Sequence, residues 1–287
     1  MKFSSGLVTK LPMQDGANRN GRGTATIAVK DLVKRYGDIT AVDAVTFSVE
    51  SGSVTALLGG NGAGKTTTIA MLLGLVLPTA GEIRVFGADM TRNRYAVMHR
   101  INFQSPYVNI PMRLTVRQNL RTFADLYGVV DPERRIAELA DELRLHDFLE
   151  RPAGSLSAGQ KTRTALAKAL INGPELLLLD EPTASLDPDT ADWVRATLDN
   201  YRTRRGATLL LASHNMTEVE RLADRVIMLE KGKIVEDGTP SELLRRYGRT
   251  TLEDVFLDIA RGRDRDGAEP ALAPPGNVEL SGADDAV

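Results

Sequence analysis

The stretch Gly59-Gly60-Asn61-Gly62-Ala63-Gly64-Lys65-Thr66 follows the pattern Gly-x-x-x-x-Gly-Lys-Ser/Thr, and its neighbours give that pattern a meaning. Before it, Val54–Leu58 is a short apolar run that reads as a strand. After it, Gly64 to Leu73 reads as a helix that closes near Gly74. Strand, glycine-rich turn and helix, in that order, form the setting in which such a turn cradles phosphate. The glycines let backbone N–H groups reach phosphate oxygens with no Cβ in the way. The helix N-terminus adds a positive field, Lys65 reaches the β- and γ-phosphates, and the Thr66 hydroxyl can ligate Mg2+.

The rest of the chain fits an α/β frame around this unit. Ile27–Leu32 and Val45–Val49 read as further strands, short, β-branched and bounded by turns. Leu176–Leu179 and Leu209–Ala212 are wholly apolar, as strands of a buried parallel sheet are. Val226–Leu229 and Lys233–Val235 flank Glu230-Lys231-Gly232, a hairpin signal. Strands interleaved with helices predict a mostly parallel central sheet. From about Arg92 to Ala169 the pattern is mostly helical. Thr115 and Gln118 have capping-box spacing ahead of Val116, Leu120, Phe123 and Tyr127. Asp131-Pro132 is a cap with a first-turn proline ahead of Ile136, Leu139, Ala140 and Leu143. This block reads as a helical subdomain, about 92–170, inserted into the α/β unit. Residues 1–23 and 261–287 are poor in aromatic residues and are expected to be disordered tails, leaving one folded unit at 24–260. No internal repeat is visible, and the phosphate-loop pattern occurs once.

Composition closes off several chemistries. The chain has no Cys, which excludes thiol nucleophiles and Cys-held zinc, and its three His (His99, His146, His214) never form a His-x-x-x-His pair. With 36 Lys+Arg against 38 Asp+Glu the formal charge is −2, which gives no electrostatic case for binding nucleic acid. The first 23 residues lack the apolar core of a secretory leader. No window approaches the ~18–20 apolar residues of a membrane span. A cytoplasmic location is expected, with any membrane role coming through a partner.

Two more elements supply what the phosphate loop lacks. Leu176–Leu179 ends in Asp180-Glu181, so a buried strand delivers Asp180 to Mg2+, directly or through water, and Glu181 beside it can accept a proton from water or orient it. Downstream of a phosphate loop this points to a nucleoside triphosphatase. Leu156-Ser157-Ala158-Gly159-Gln160 precedes a helical stretch with Leu166, Ala169 and Leu170 on one face. Alone, the pentapeptide says only that Ser157 caps a helix. Its last residue, however, stands 20 residues before Asp180.

Phosphate loop, Leu-Ser-x-Gly-Gln and apolar strand with Asp-Glu, in that order, resemble the ATP-binding cassette (ABC) family, from about Ile27 to Ala260. The resemblance implies a phosphate-loop ABC cassette fold: a mostly parallel central sheet, N-terminal antiparallel strands and an inserted α-helical subdomain. It implies ATP and Mg2+ as ligands, with Gly59, Gly60, Asn61, Gly62, Ala63, Gly64, Lys65, Thr66 and Thr67 around the phosphates. Tyr36, 29 residues before Lys65, matches the aromatic that stacks on adenine. Gln104 matches the glutamine that senses Mg2+, so that Thr66, Gln104 and Asp180 form the metal set. Ser185-Leu186-Asp187 matches a dimer-contacting loop, and Ser213-His214 the switch histidine. Catalysis then falls to Glu181, His214 and Lys65, while Ser157, Gly159, Gln160 and Asp187 complete the nucleotide site across a head-to-tail dimer.

By the same resemblance the partners are a second cassette, expected as a homodimer, and an integral membrane permease that holds the chain at the inner face of the cell membrane. Tyr247 to Phe256 looks like the C-terminal helix of ABC-2 type exporter ATPases, which favours export. The alternative is a soluble ABC ATPase acting on ribosomes or DNA. Against it, the chain has one cassette, and the 90 residues between Thr66 and Ser157 hold no long heptad run. Two residues depart from the common pattern, Gly60 where Pro is frequent and Ala158 for the first glycine of Leu-Ser-Gly-Gly-Gln. Neither removes a functional group, and activity is expected to survive both.

Overall fold

In the computed structural model, residues 25–105, 110–184 and 186–261 are described. The expected disordered tails (1–23, and 262–287 beyond Arg261) lie outside these residues, as does Ser185. The chain opens with β1 (Ala25–Tyr36), β2 (Ile39–Glu50) and β3 (Val54–Leu58), then α1 (Lys65–Leu72), β4 (Ala80–Val85), β5 (Ala88–Asp89) and β6 (Ile101–Gln104). Three helices follow, α2 (Val116–Leu126), α3 (Pro132–Leu143) and α4 (Ala158–Leu170). The chain then returns through β7 (Leu176–Asp180), α5 (Pro188–Arg205), β8 (Thr208–Ser213), α6 (Met216–Leu222) and the hairpin β9 (Arg225–Glu230) and β10 (Lys233–Gly238). It closes with α7 (Pro240–Tyr247) and α8 (Leu252–Ala260).

Two sheets result. β2-β1-β4-β5 is antiparallel, and β10-β9-β3-β8-β7-β6 is parallel from β9 to β6 with β10 antiparallel at its edge. Every residue of β3, β7 and β8 is buried, because both faces of the larger sheet are covered. That is why Leu176–Leu179 of β7 and Leu209–Ala212 of β8 read as unbroken apolar runs. Successive leucines of β7 serve different cores. Leu176 and Leu178 pack with the antiparallel sheet and α1, and Leu177 and Leu179 with the helices.

The helical segments start where local chemistry tells them to. Thr115 and Gln118 form a reciprocal capping box on α2, Asp131 caps α3 ahead of Pro132, and Ser157 and Gln160 cap α4 reciprocally. Helices α2, α3 and α4 pack on one another through Val116, Leu120, Ile136, Leu139, Leu166 and Leu170. The span expected to be helical from about 92 is corrected by β6, which pairs with β7 in the parallel sheet. Asn102 and Gln104 break its apolar run, so nothing in the pattern announces a strand. Asn102 is nonetheless buried, donating to Lys168 O at 3.2 Å and to Asn172 Oδ1 at 2.7 Å. The helical subdomain begins only after Gln104.

At the C-terminal end, α7 and α8 are tied down by buried acids. Glu236 accepts from Arg246 and Tyr247, and Asp258 accepts from Arg249 Nε at 2.6 Å. Glu220 of α6 accepts from Leu252 N, fixing the first turn of α8. Replacing Leu178 by Ala is expected to lower unfolding free energy by about 2–5 kcal/mol, as truncation of a fully buried leucine does. Urea unfolding followed by circular dichroism measures this, and a loss below about 1 kcal/mol would contradict the two-sided burial of β7.

Candidate nucleotide site

Parallel pairing brings four strand ends to one edge of the larger sheet. Leu58 is level with Ser213, Ala212 with Asp180, and Leu179 with Gln104. Ligands of open α/β sheets bind outside such carboxyl ends, and the phosphate loop leaves β3 there.

The loop is shaped by its surroundings as well as by its glycines. A Cβ on Gly59 would run into Leu229 O of β9. A Cβ on Gly64 would meet Ala41 O at 2.6 Å, on a residue whose φ of +102° already favours glycine. Gly232 N donates to Ala63 O at 3.1 Å, so the β9–β10 turn clasps the loop from outside. Gly60 faces open space except for Phe256 of α8, whose ring edge lies 4.0 Å from a built Cβ.

Lys65 is buried, and its Nζ donates to Gly59 O at 2.6 Å and Gly60 O at 3.2 Å. Burial pulls its pKa down from the ordinary lysine value, and the nearby Glu181 and Asp180 carboxylates oppose that pull. The Thr66 hydroxyl donates to Asp180 Oδ2 at 3.2 Å. Asp180 is buried at the end of β7, and desolvation pushes its carboxyl above the usual range, partly offset by the Thr66 bond. A cation at this pair would relieve that penalty. Beside them Gln104 is buried, and its Oε1 has no hydrogen-bond partner among the described residues. A hydroxyl, a carboxylate and an orphaned amide oxygen make a hard oxygen donor set, and it fits Mg2+.

Glu181 has a φ of +52°, a left-handed conformation that costs about 1–3 kcal/mol for a residue with a side chain. Its N–H donates to Ala212 O at 2.8 Å, and its Oε1 lies 2.7 Å from His214 Nδ1. Strain here turns a 14% exposed carboxylate toward a 59% exposed imidazole at the same edge. The structure thus brings Glu181 against His214 and Thr66 against Asp180 at one strand edge.

Other expected residues stand apart from this centre. Ser157 and Gln160 bond to each other at the exposed tip of α4, where Ser157 N donates to Gln160 Oε1 at 3.0 Å. Gly159 next to them has only Thr190 Oγ1 near, at 3.8 Å from a built Cβ. Tyr36 ends β1 with 48% exposure and carries the Lys34 ammonium 4.8 Å from its ring centroid. Asp187 caps α5, its carboxyl held low mainly by the Thr190 N–H. Thr67 lies in the first turn of α1, half-buried. His99 and His146 are exposed, and His146 pairs with Asp141 at 2.6 Å.

One acid beside the centre belongs to none of the sequence motifs. Glu218 of α6 is 1% exposed and accepts from Thr183 Oγ1 at 2.7 Å and Ser213 Oγ at 2.8 Å. Its place three residues after Asn215, which does cap α6, looks like ordinary helix-start chemistry. That spacing hides it.

A glycine-rich loop on a strand end, a paired hydroxyl and carboxylate, and a strained glutamate on a histidine define a phosphate-loop nucleoside triphosphatase. A family profile described as ABC transporter matches residues 42–184. The Nod factor export ATP-binding protein I of Burkholderia orbicola is 38% identical over 243 residues, 84% of this chain and 80% of that protein. The bacitracin transport ATP-binding protein BcrA of Bacillus licheniformis is 37% identical over 232 residues, 81% of this chain and 75% of that protein. A solved ATP-binding subunit of an ABC transporter superposes with a TM-score of 0.75 at 29% identity, covering 83% of this chain and all of the other. The chain belongs to the ABC transporter family, as an ATP-binding subunit of exporter type. These relatives favour the transport reading over a ribosome- or DNA-acting one.

With phosphate on the loop, Lys65 would exchange the Gly59 and Gly60 carbonyls for a charge-assisted contact, so Lys65→Ala should weaken ATP binding roughly 10- to 150-fold. Isothermal titration calorimetry checks this, and a loss under about threefold would contradict a phosphate-facing Lys65.

Proposed function

We propose that this chain is the Mg2+-dependent ATPase that powers export through a separate integral membrane permease, working as a head-to-tail homodimer at the inner face of the membrane. The observation that carries the reading is the pairing of Glu181 with His214 at the same strand edge as Thr66 and Asp180.

In this reading ATP lies along the phosphate loop with its adenine against Tyr36, and Lys65 moves from the Gly59 and Gly60 carbonyls to the β- and γ-phosphates. Thr66, Asp180 and Gln104 would hold Mg2+, which when bound neutralises charge on the β- and γ-oxygens. Glu181 Oε1 orients the attacking water and takes its proton as the water oxygen bonds to the γ-phosphorus. The bond from that phosphorus to the bridging oxygen breaks, leaving ADP and phosphate. His214 holds Glu181 in register from its Nδ1 side. Most of the rate comes from placement and charge.

The exposed tip of α4, with Ser157, Gly159 and Gln160, supports the dimeric part of the reading. Its helix N-terminus would cover the γ-phosphate bound to the other copy, with Asp187 near the contact. Hydrolysis removes that bridge and lets the copies separate. The names of the relatives, which concern Nod factor export and bacitracin transport, support an exported substrate whose path lies in the permease. Among the described residues no helix is long and apolar enough to cross a membrane, in keeping with a permease on a separate chain.

Glu181→Gln should lower ATP turnover roughly 10²- to 10⁴-fold while retaining ATP binding. Tagged in its native host, that variant should retain a multi-span membrane protein in mild detergent with ATP and Mg2+. Recovery with ribosomal proteins or nucleic acid instead would overturn the transport reading, and a related cassette in place of a second copy would overturn the homodimer.

A further inference from the structure

The Glu218 carboxylate occupies a position that helix capping does not explain. Asn215 already caps α6, accepting from Glu218 N at 3.1 Å, while Asn215 N is satisfied by Ser213 Oγ at 3.0 Å. The Glu218 side chain therefore owes nothing to its helix start. It reaches instead across two loops, accepting from Thr183 of the loop after β7 with one oxygen and from Ser213 at the end of β8 with the other. Thr183 is two residues beyond Glu181, and Ser213 directly precedes His214.

A carboxylate at 1% exposure is expensive to bury, and desolvation raises the Glu218 pKa, with Glu181 adding to the rise and the Thr183 and Ser213 bonds and Arg195 opposing it. An apolar residue would fill the same volume at lower cost. What an apolar side chain lacks, and the Glu218 carboxylate provides, is two polar atoms at a fixed spacing, each holding one of the two loops that carry Glu181 and His214. We infer that Glu218 is a positioning residue for ATP hydrolysis: it brackets the Thr183 and Ser213 hydroxyls and thereby sets the 2.7 Å contact between Glu181 and His214. It touches neither nucleotide nor the reacting water, and its role rests on the hydrolytic reading above.

The test uses the three histidines of the full-length chain. With 15N-labelled histidine, the His214 ring signals are assigned by His214→Ala and their loss of the Glu181 partner is calibrated by Glu181→Ala. Glu218→Ala should move the His214 signals in the direction set by Glu181→Ala and leave those of His99 and His146 in place. The same variant should lose roughly ten- to a hundredfold in kcat, the scale of a displaced catalytic group, with the Kd for ATP within about twofold of the unaltered protein. Glu218→Gln still spans both hydroxyls, accepting from one and donating to the other, so it should restore kcat to within about threefold and return the His214 signals. Thr183→Val and Ser213→Ala each cut one arm without emptying the site, and each should move the His214 signals if Glu218→Ala does not fold.

Unmoved His214 signals in every folded variant would overturn the inference. So would a loss of kcat matched by an equal loss of ATP affinity and of thermal stability, which would make Glu218 a support of the fold alone. A chain with normal histidine shifts but no ATPase activity would overturn the hydrolytic reading itself, and the histidine spectra would still decide whether Glu218 sets the Glu181–His214 contact.

Discussion

Parallel pairing of β3, β8, β7 and β6 is the constraint from which the site follows. Because all four strands run the same way, their carboxyl ends lie at one edge, and that edge collects the phosphate loop, Ser213, Asp180 and Gln104 from distant parts of the sequence. The sheet can be this regular because both its faces are covered, by the antiparallel sheet and α1 on one side and by helices on the other. Leucines on alternate sides of β7 hold the strand from both directions, so Asp180 at its end has little freedom to move. Rigidity of the strand becomes placement of the carboxylate.

That placement concentrates costs where they serve binding. Lys65 and Asp180 are both buried, and burial pulls the pKa of each toward its neutral form. At Lys65 the Glu181 and Asp180 carboxylates oppose that pull, and at Asp180 the Thr66 bond and the Lys65 charge do. A polyphosphate with a divalent cation supplies the opposite charges that such a site lacks. The left-handed backbone at Glu181 belongs to the same economy of position, since it aims the carboxylate at His214 while its N–H continues the pairing with β8.

Much of this was legible in the residues. The phosphate loop announced itself because its chemistry needs glycines, Lys65 and Thr66 contiguous in sequence, and β7 because burial on both faces favours a run such as Leu176–Leu179. The caps at Thr115, Asp131 and Ser157 were readable because capping is local. What stayed hidden depends on long-range contacts. β6 carries polar Asn102 and Gln104, and the burial of Asn102 makes sense only once Asn172 and Lys168 pack beside it. β4 and β5 are too short for a periodic signal, with only Ile83 and Val85 alternating inward in β4. Glu218 was masked by a spacing that suits a helix start, although its side chain bonds elsewhere. Tyr36, Gln104 and His214 were placed by resemblance to the family, since a lone aromatic, amide or imidazole carries no local signature of its role.

In the proposed cycle, ATP and Mg2+ at this edge join two copies of the chain through the tip of α4. Sedimentation velocity of Glu181→Gln, with and without ATP and Mg2+, tests it most directly. The account predicts a monomer that becomes a dimer only when both ligands are present, and that stays a monomer when Ser157→Arg is added. A Glu181→Gln chain that binds ATP and remains monomeric, or a dimer indifferent to Ser157→Arg, would contradict it.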